Sequence, residues 1–319
     1  MIALVTGSSG FIGSNLCRAL LAAGQQVRAF HRASSNLRLL EGLAVEYAAG
    51  DLTQPDSLLA AMEGCEVVFH CAASMGGHDQ PGKQYAVTVE GTRAVLNAAR
   101  KAGVRRVIHT SSVAALGVPA HAIPINENHT WNYRPDYFPY GYTKYLAELE
   151  VQKAVAQGMD VVIVNPTLVF GPGDIYRQTN SLIQLVAKRR LSVAVEGGIN
   201  VVHVQDVVDG HLAALEHGRC GERYILGGEN LTYLQLINAT AEVTGVPAPN
   251  LVLPGWLLRP LAAPIHQLQA FLDLPMPADM LRLAGRCFFY DLHKAAQELG
   301  WQPRCSARQA IQDAYNWFQ

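Results

Sequence analysis

The chain has 319 residues, of which 50% are hydrophobic and 16% are charged, so it can bury a substantial core in one large or two modest domains. Its 25 Lys and Arg residues nearly balance its 26 Asp and Glu residues, which leaves a formal net charge of −1. This balance argues against a nonspecific nucleic-acid binder, which needs a general positive field, and the composition argues against a disordered scaffold.

A membrane-spanning helix needs a run of about 18 apolar residues, and no such uninterrupted run is present. The most apolar candidate, residues 251–265, is broken by three prolines and by Arg259. The sequence therefore predicts no membrane span. The chain opens on Met1-Ile2-Ala3-Leu4-Val5-Thr6 and passes directly into a glycine-rich turn, without the basic start and apolar stretch of a secretory signal. We therefore expect a cytoplasmic protein.

The cysteines and histidines carry no recognisable spacing. The six cysteines include no Cys-x-x-Cys pair, and the eleven histidines include no His-Glu-x-x-His motif. We therefore expect small buried thiols, no disulfide framework and no bound metal.

Short β-branched runs alternate with helical patterns through the first two thirds of the chain. The predicted strands cover residues 2–6, 26–30, 44–48, 67–71, 106–111 and 161–164. The predicted helices cover residues 10–23, 55–62, 85–102 and 140–156. This alternation is typical of an α/β fold in which crossover helices cover a parallel sheet, and it predicts a Rossmann-type doubly wound sheet.

The alternation of strand and helix patterns becomes irregular after about residue 171, where prolines and glycines become frequent. We therefore predict a dinucleotide-binding domain over residues 1–170 and a smaller substrate-binding lobe over residues 171–319. Two segments near residues 200–226, namely 200–208 and 222–226, are expected to return to the first domain.

A glycine-rich turn, Thr6-Gly7-Ser8-Ser9-Gly10-Phe11-Ile12-Gly13, joins the first predicted strand to the first predicted helix. Glycine permits a positive φ, and its missing side chain lets the backbone approach a pyrophosphate. The helix that follows offers free N–H groups and partial positive charge to phosphates. The turn therefore predicts a dinucleotide site.

A second motif lies at the start of the helix predicted over residues 140–156. Tyr140 and Lys144 are four residues apart and so share one helix face. A free phenol has a pKa of about 10, and a nearby cation lowers such a pKa by roughly 1–3 units, so we expect Lys144 to make Tyr140 more acidic. Tyr142 lacks this partner, because Leu146 follows it by four residues.

Together the two motifs resemble the extended short-chain dehydrogenases/reductases, whose Thr-Gly-x-x-Gly-x-x-Gly pattern is matched in full. In this family the serine that follows the fifth strand hydrogen-bonds the substrate oxygen. The resemblance therefore implies a catalytic set of Ser112, Tyr140 and Lys144, with Ser111 as a weaker alternate to Ser112. It also implies a homodimer built from the helices over residues 85–102 and 140–156.

The resemblance extends to further cofactor and substrate contacts. Asp51-Leu52 would contact the adenine, Cys71-Ala72-Ala73 would line the ribose and pyrophosphate, and the segment from Asn165 through Pro166 and Thr167 to Pro172 would lie beside the nicotinamide. The candidate substrate residues are Ser74, Met75, Ser112, Val113 and Asn165. One departure is Thr88, which stands where many relatives have an asparagine, so a water or proton relay assigned to that asparagine is in doubt.

The end of the second predicted strand bears on the choice of cofactor. An Asp or Glu there usually holds the ribose 2′-hydroxyl of NAD, whereas an arginine suits the 2′-phosphate of NADP. This chain has His31-Arg32 followed by Arg38, and no acidic residue before Glu41. The pattern favours NADP, with NAD as the alternative.

Three functions remain open. The first is a carbonyl reductase or secondary-alcohol dehydrogenase, similar to dihydroflavonol reductases and 3β-hydroxysteroid dehydrogenases, acting on a small apolar substrate. The second is a nucleotide-sugar epimerase with tightly held NAD, as in the hopanoid-associated sugar epimerases, which resemble the whole chain. The third is a cofactor-binding sensor. The intact Ser112, Tyr140 and Lys144 argue against the sensor, and the apolar second lobe favours the reductase. Arg282, Arg286 and Arg304 are the candidates for binding a sugar diphosphate.

Overall fold

The computed structural model describes residues 1–74, 81–175, 181–191, 193–249, 251–268 and 281–319. Within these ranges, seven parallel strands form the main sheet in the order β10-β6-β5-β4-β1-β2-β3. They are β1 (Ile2–Thr6), β2 (Gln26–His31), β3 (Glu46–Ala49), β4 (Val67–His70), β5 (Arg106–Thr110), β6 (Val161–Pro166) and β10 (Arg223–Leu226). The predicted Rossmann-type parallel sheet is confirmed.

Helices cover both faces of this sheet, so its strands carry apolar side chains on both sides. Ala3 and Val5 of β1 belong to the core on one face, and Leu4 to the core on the other. The helices around the sheet are α1 (Phe11–Ala22), α2 (Pro55–Met62), α3 (Pro81–Tyr85), α4 (Gly91–Lys101), α5 (Pro139–Ala156) and α7 (Val204–His217). Helices α1 and α7 pack together on the first face, and α2, α4 and α5 pack together on the second.

The helix predicted over residues 85–102 differs from the observed one. Helices α3 and α4 are joined by a π-helical turn, Ala86–Glu90, so the axis contains one widened turn. Such turns occur frequently at functional sites. Thr88 is buried inside this turn.

A second sheet of four strands lies beside the first. It consists of β7 (Leu168–Phe170), β9 (Gly198–His203), β11 (Glu229–Thr232) and β13 (Cys287–Phe288). The remaining elements are α6 (Ser181–Ala187), β8 (Ala194–Val195), α8 (Tyr233–Thr244), β12 (Val252–Leu253), α9 (Gly255–Leu258), α10 (Ala262–Leu268), α11 (His293–Leu299) and α12 (Ala307–Phe318).

The two segments expected to return to the main sheet behave differently. The segment 222–226 returns as β10, which pairs with β6. Residues 200–203 do not join the main sheet, because they belong to β9, where the buried Asn200 amide bonds Gly228 and Asn230 and holds β9 against β11. Helix α7, which follows, packs against β5 and β6. The division into lobes at residue 170 stays a prediction.

The most apolar candidate for a span lies over α9 and α10. None of the helices in the described ranges is long and apolar enough to cross a membrane.

Candidate active site

The glycine-rich turn is held in a shape that side chains would block. Gly7 has φ +67°, and a Cβ there would lie 2.7 Å from the backbone nitrogen of Ala72. The Gly10 N–H donates to the Gly7 carbonyl at 2.9 Å, and a Cβ on Gly13 would overlap that same carbonyl oxygen. Gly10 and Gly13 are therefore both packed against the Gly7 carbonyl at the start of α1, and Gly7 is packed against the backbone of Ala72.

The carboxyl end of β2 carries the residues predicted to select the cofactor. Arg32 and Arg38 are exposed, and His31 is half-buried with its ring edge against Tyr47. The pKa of Asp51 lies below its usual value, chiefly because the Thr53 N–H donates to it, and the charge of Arg32 lowers it further. Arg32 thus lies close enough to Asp51 for their charges to interact.

A buried histidine links the turn to the π-helical segment. His70 Nδ1 lies 2.8 Å from the Thr6 hydroxyl, and its Nε2 lies 3.0 Å from the Thr92 hydroxyl. Because Thr92 donates its own proton to the Thr88 carbonyl at 2.6 Å, we infer that His70 Nε2 donates to Thr92 and Nδ1 accepts from Thr6. Burial, aided by the charge of Lys144, lowers the pKa of His70 to about 3, so the ring stays neutral.

The same region holds the predicted ribose and substrate contacts at the end of β4. Cys71, Ala72 and Ala73 are half-buried. The Cys71 sulfur accepts from the Thr110 hydroxyl at 3.2 Å, and Ser74 N donates to Thr88 Oγ1 at 3.2 Å. Met75, a candidate substrate residue, lies outside the described residues.

The two serines after β5 point to different partners. Ser111 is buried, and its hydroxyl donates to Glu148 Oε1 at 2.5 Å. Ser112 is half-buried and accepts from Ala114 N at 3.2 Å, and its side chain lies close enough to Tyr140 to lower the pKa of that phenol. Of the two, Ser112 is therefore the serine that lies with the predicted catalytic tyrosine.

Tyr140 and Lys144 occupy the first turns of α5, which begins at Pro139. Lys144 is buried and its Nζ donates to the Thr110 carbonyl at 3.0 Å. Burial lowers the pKa of Lys144 to about 8, and the charge of Glu148 opposes this shift.

The expected acidification of Tyr140 by Lys144 is not found. Burial raises the pKa of Tyr140 above its usual value, and the hydrogen bond from Ser112 is what opposes the rise. Lys144 directs its ammonium to the Thr110 carbonyl instead, as its contact at 3.0 Å shows. Tyr140 is consequently a protonated phenol over the neutral range.

The carboxyl end of β6 and the residue that follows it supply polar atoms without partners. Asn165 Nδ2 donates to the Ser112 carbonyl at 2.9 Å and to Glu148 Oε1 at 2.7 Å. Asn165 Oδ1 and Thr167 Oγ1 are buried without a hydrogen-bond partner in the part of the chain that the structure describes. Buried polar atoms without a partner are costly, so a polar ligand that bonds them would fit here.

Taken together, these contacts fit a dinucleotide that crosses the carboxyl edge of the main sheet. The glycine cradle suits a pyrophosphate, and the free Thr167 hydroxyl beside Pro166 suits an amide. Sequence reasoning missed His70 and Glu148, which touch this site through partners distant in sequence. A Glu four residues after a Tyr-x-x-x-Lys lysine is the signal that could have found Glu148.

Residues 3–227 match the model of the "NAD dependent epimerase/dehydratase" family. A Synechocystis protein named provisionally as a dihydroflavonol 4-reductase is 39% identical to the chain, over 99% of the chain and 94% of that protein. The 4-hydroxy-2-methyl-3-oxo-4-farnesyl-3,4-dihydroquinoline-1-oxide ketoreductase of Stigmatella aurantiaca is 32% identical, over 98% of the chain and 95% of that protein.

Among solved structures, a nucleoside-diphosphate-sugar epimerase from Pseudomonas aeruginosa superposes with a TM-score of 0.84 at 27% identity. The match covers 100% of this chain and 97% of the epimerase. The family match covers most of the chain, and it includes the glycine-rich turn and the Tyr-x-x-x-Lys motif. The chain belongs to the NAD-dependent epimerase/dehydratase family of extended short-chain dehydrogenases/reductases.

Proposed function

We propose that the protein is an NADP-dependent reductase of ketones or aldehydes, with oxidation of a secondary alcohol as the reverse reaction. The observation that carries this proposal is that Ser112, which follows β5, lies against Tyr140 on the first turn of α5, one helical turn from the buried Lys144. Two hydroxyls that converge in this way can both hydrogen-bond one carbonyl oxygen. Ser112, Tyr140 and Lys144 are therefore the proposed catalytic residues.

The residues present fit the dinucleotide that such a reductase needs. Gly7, Gly10 and Gly13 would hold its pyrophosphate, Asp51 and Leu52 its adenine, and Cys71-Ala72-Ala73 its ribose. The other proposed contacts are Thr6, Ser9, Phe11, Ile12, His31, Arg32, Arg38, Tyr140, Lys144, Pro166 and Thr167. When bound, the nicotinamide supplies or accepts a hydride.

The protonation state of Tyr140 favours the reductive direction. Burial keeps its pKa above the usual value, so the hydroxyl is protonated and able to give a proton to a carbonyl oxygen that gains a hydride. The Ser112 hydroxyl would donate to the same oxygen and polarise the carbonyl. Lys144, still largely charged near neutrality, would stabilise the phenolate that Tyr140 leaves behind.

The surroundings of Ser112 support an apolar substrate. Val113 follows it and packs against a buried cluster that contains Leu116, Ile225 and Tyr290. One relative is named as the ketoreductase of a farnesylated quinoline oxide, which is a largely apolar ketone. We propose Ser74, Met75, Val113 and Asn165, together with Ser112, as contacts of such a substrate.

A nucleotide-sugar epimerase is the second candidate, and one contact favours it. The Arg282 guanidinium lies 4.6 Å from the centre of the Tyr137 ring, three residues before Tyr140. An arginine near the catalytic helix could pair with the diphosphate of a nucleotide sugar. Arg286, by contrast, already donates to the carbonyls of Pro119 and Ala120.

The purified protein should be tested with NADPH and a series of aryl and alkyl ketones, and in parallel with nucleotide sugars. Loss of the reduced-cofactor absorbance in proportion to added ketone is the expected result. Copurified NAD that does not exchange, with interconversion of a nucleotide sugar and no net cofactor loss, would replace the reductase by the epimerase. Cofactor binding with no turnover of either class would indicate the sensor.

The preference for NADP is tested at Arg32 and Arg38. Replacing both with Ala should lower the NADPH-over-NADH ratio of kcat/KM by about 10–100-fold, since charge-assisted hydrogen bonds contribute about 1.5–3 kcal/mol. Arg105 is an exposed arginine just before β5, so it lies at the amino ends of the strands, whereas Arg32 follows the carboxyl end of β2. Arg105→Ala is therefore the matched control. An unchanged ratio in the double variant would remove the basis for choosing NADP.

The two serines offer a second matched pair. Ser112→Ala should lower kcat by about 10²-fold, as expected when one donor to a developing oxyanion is removed. Ser111→Ala removes a hydroxyl that contacts Glu148 rather than Tyr140, so we expect a smaller loss of kcat and a lower Tm. Equal kcat losses in both variants would contradict the assignment of Ser112.

We also propose that the protein is a homodimer and that α4 and α5 form its interface. Within one protomer the two helices are joined by a bidentate Arg93–Glu150 ion pair. Leu149, on α5, is an exposed apolar residue beside that pair. Sedimentation of the protein and of Leu149→Glu would test this: a dimer that the substitution weakens is expected.

A further inference from the structure

The Glu148 carboxylate accepts hydrogen bonds from several residues next to the proposed catalytic residues. Glu148 is buried on α5, one helical turn after Lys144. Its Oε1 accepts from the Ser111 hydroxyl at 2.5 Å and from Asn165 Nδ2 at 2.7 Å. Its Oε2 accepts from Arg223 at 3.1 Å. All of these donors come from elements other than α5.

Asn165 connects Glu148 to Ser112, the residue whose hydroxyl is proposed to bond the substrate oxygen. The same Nδ2 that donates to Glu148 also donates to the Ser112 carbonyl at 2.9 Å. The Ser111 hydroxyl and the Ser112 carbonyl are thus both tied, directly or through one amide, to a single carboxylate. The turn that presents the Ser112 hydroxyl to Tyr140 is fixed from behind by these bonds.

Arg223 anchors the carboxylate from the far side. Besides Glu148, its guanidinium donates to the carbonyls of Glu127 and His129, at 2.8 and 2.9 Å. Arg223 belongs to β10, the edge strand that returns from the second part of the chain. The position of Glu148 is therefore set by the main sheet and by the loop before α5, in addition to its own helix.

We propose that Glu148 is a positioning residue for the reaction: it fixes the Ser111–Ser112 turn through its bonds to Ser111 and Asn165, and it places a carboxylate one helical turn from the Lys144 ammonium. The proposal rests on the proposed function of Ser112, Tyr140 and Lys144. It assigns no contact between Glu148 and the substrate.

The pKa of Lys144 depends on the charges of the titratable groups that face its ammonium. Glu148 lies on the same helix, His70 ends β4 and Cys71 follows it, and His109 lies on β5. Burial lowers the pKa of both histidines far enough to keep them neutral at physiological pH, and it raises that of Cys71 to about 11, so that thiol is neutral too. Glu148 is thus the anion among these groups.

The direction of the pH effect follows from this charge. Burial holds the pKa of Lys144 near 8, and Glu148 opposes that shift. Removing the negative charge should lower the pKa of Lys144 by about one unit, the lower end of the usual effect of one opposite charge. The ammonium would then be lost at lower pH, and activity that depends on it would fall as the pH rises through about 7 instead of about 8.

Two substitutions separate charge from position. Glu148→Gln removes the charge but keeps an oxygen that can accept from Ser111 and Asn165. We expect the alkaline limb of kcat/KM to move down by about one pH unit, with a loss of about fivefold at pH 8 and little loss at pH 6. Glu148→Asp keeps the charge but withdraws the carboxylate, and should lower kcat at every pH with the limb unmoved.

The matched control is Glu150→Gln on the same helix. Glu150 is also buried in an ion pair, with Arg93 and Lys153, but it is not among the charges that shift Lys144. This variant should keep the alkaline limb of the wild type even if its Tm falls. A limb that moves equally in Glu148→Gln and Glu150→Gln would overturn the proposal, because the effect would then belong to any lost ion pair.

A second measurement does not depend on turnover. In protein labelled with ε-¹³C lysine, the signal absent from Lys144→Arg is that of Lys144, and its titration reads the pKa of the ammonium directly. A lower pKa in Glu148→Gln supports the proposal even if no ketone is reduced. If the wild type reduces ketones while Glu148→Gln keeps both the wild-type titration and the wild-type limb, Glu148 has no such role.

Discussion

Replacing Tyr140 with Phe is expected to lower kcat/KM for ketone reduction by about 10²–10⁴-fold, the usual contribution of a general acid. The phenol is the proton donor in the proposed reaction, and burial keeps it protonated over the neutral range. The substitution removes one oxygen and leaves the ring. Steady-state kinetics with NADPH and the best ketone of the series would measure the loss.

Tyr142 provides the control for this prediction. It lies two residues further along α5, and its ring packs in an aromatic group with Trp131 and Tyr145. Tyr142→Phe also removes a phenolic hydroxyl, but from a residue outside the proposed catalytic set. Activity should therefore change by about twofold at most, as for substitutions away from cores, caps and buried polar networks. If Tyr140→Phe behaved like Tyr142→Phe, the proposed proton donor would be wrong.

Gly13→Ala is expected to weaken cofactor binding by about 10–100-fold, or to prevent the turn from forming at all. A Cβ at this position would overlap the Gly7 carbonyl, so α1 and the turn would have to move apart. Overpacking of this kind costs about 1–3 kcal/mol. Binding isotherms with NADPH and NADP, together with thermal unfolding, would separate lost affinity from lost stability.

Gly10→Ala serves as the graded comparison. Its Cβ would lie 3.1 Å from the same Gly7 carbonyl oxygen, which a displacement of a few tenths of an ångström could relieve. We therefore expect a smaller loss of affinity than for Gly13→Ala. The reverse order would show that packing against Gly7 does not determine the shape of the phosphate-binding turn.

The regular part of the fold could be predicted from local patterns. Residues 2–6 and 55–62 have the predicted bounds, and the parallel sheet follows from the alternation of strands and helices. The π-helical turn at Ala86–Glu90 was missed, because the apolar pattern there continues through it.

The candidate site, too, has features that local sequence spacing predicts and features that it does not. The spacing of the glycines and of Tyr140 and Lys144 is local, and it identified the family that the comparisons established. The direction of the Tyr140 pKa was not predictable from that spacing. It depends on how deeply the phenol is buried and on where the Lys144 ammonium points, which is the Thr110 carbonyl.

The sequence by itself determined the parallel α/β sheet, the phosphate-binding turn and the tyrosine–lysine pair, because each depends on residues within a few positions of one another. Only the tertiary structure decided that His70 contacts Thr6, 64 positions away, that Glu148 holds Ser111, 37 positions away, and that β9 leaves the main sheet. Such contacts depend on the order in which strands pair and on which helix covers which face, and the period of a single segment carries neither.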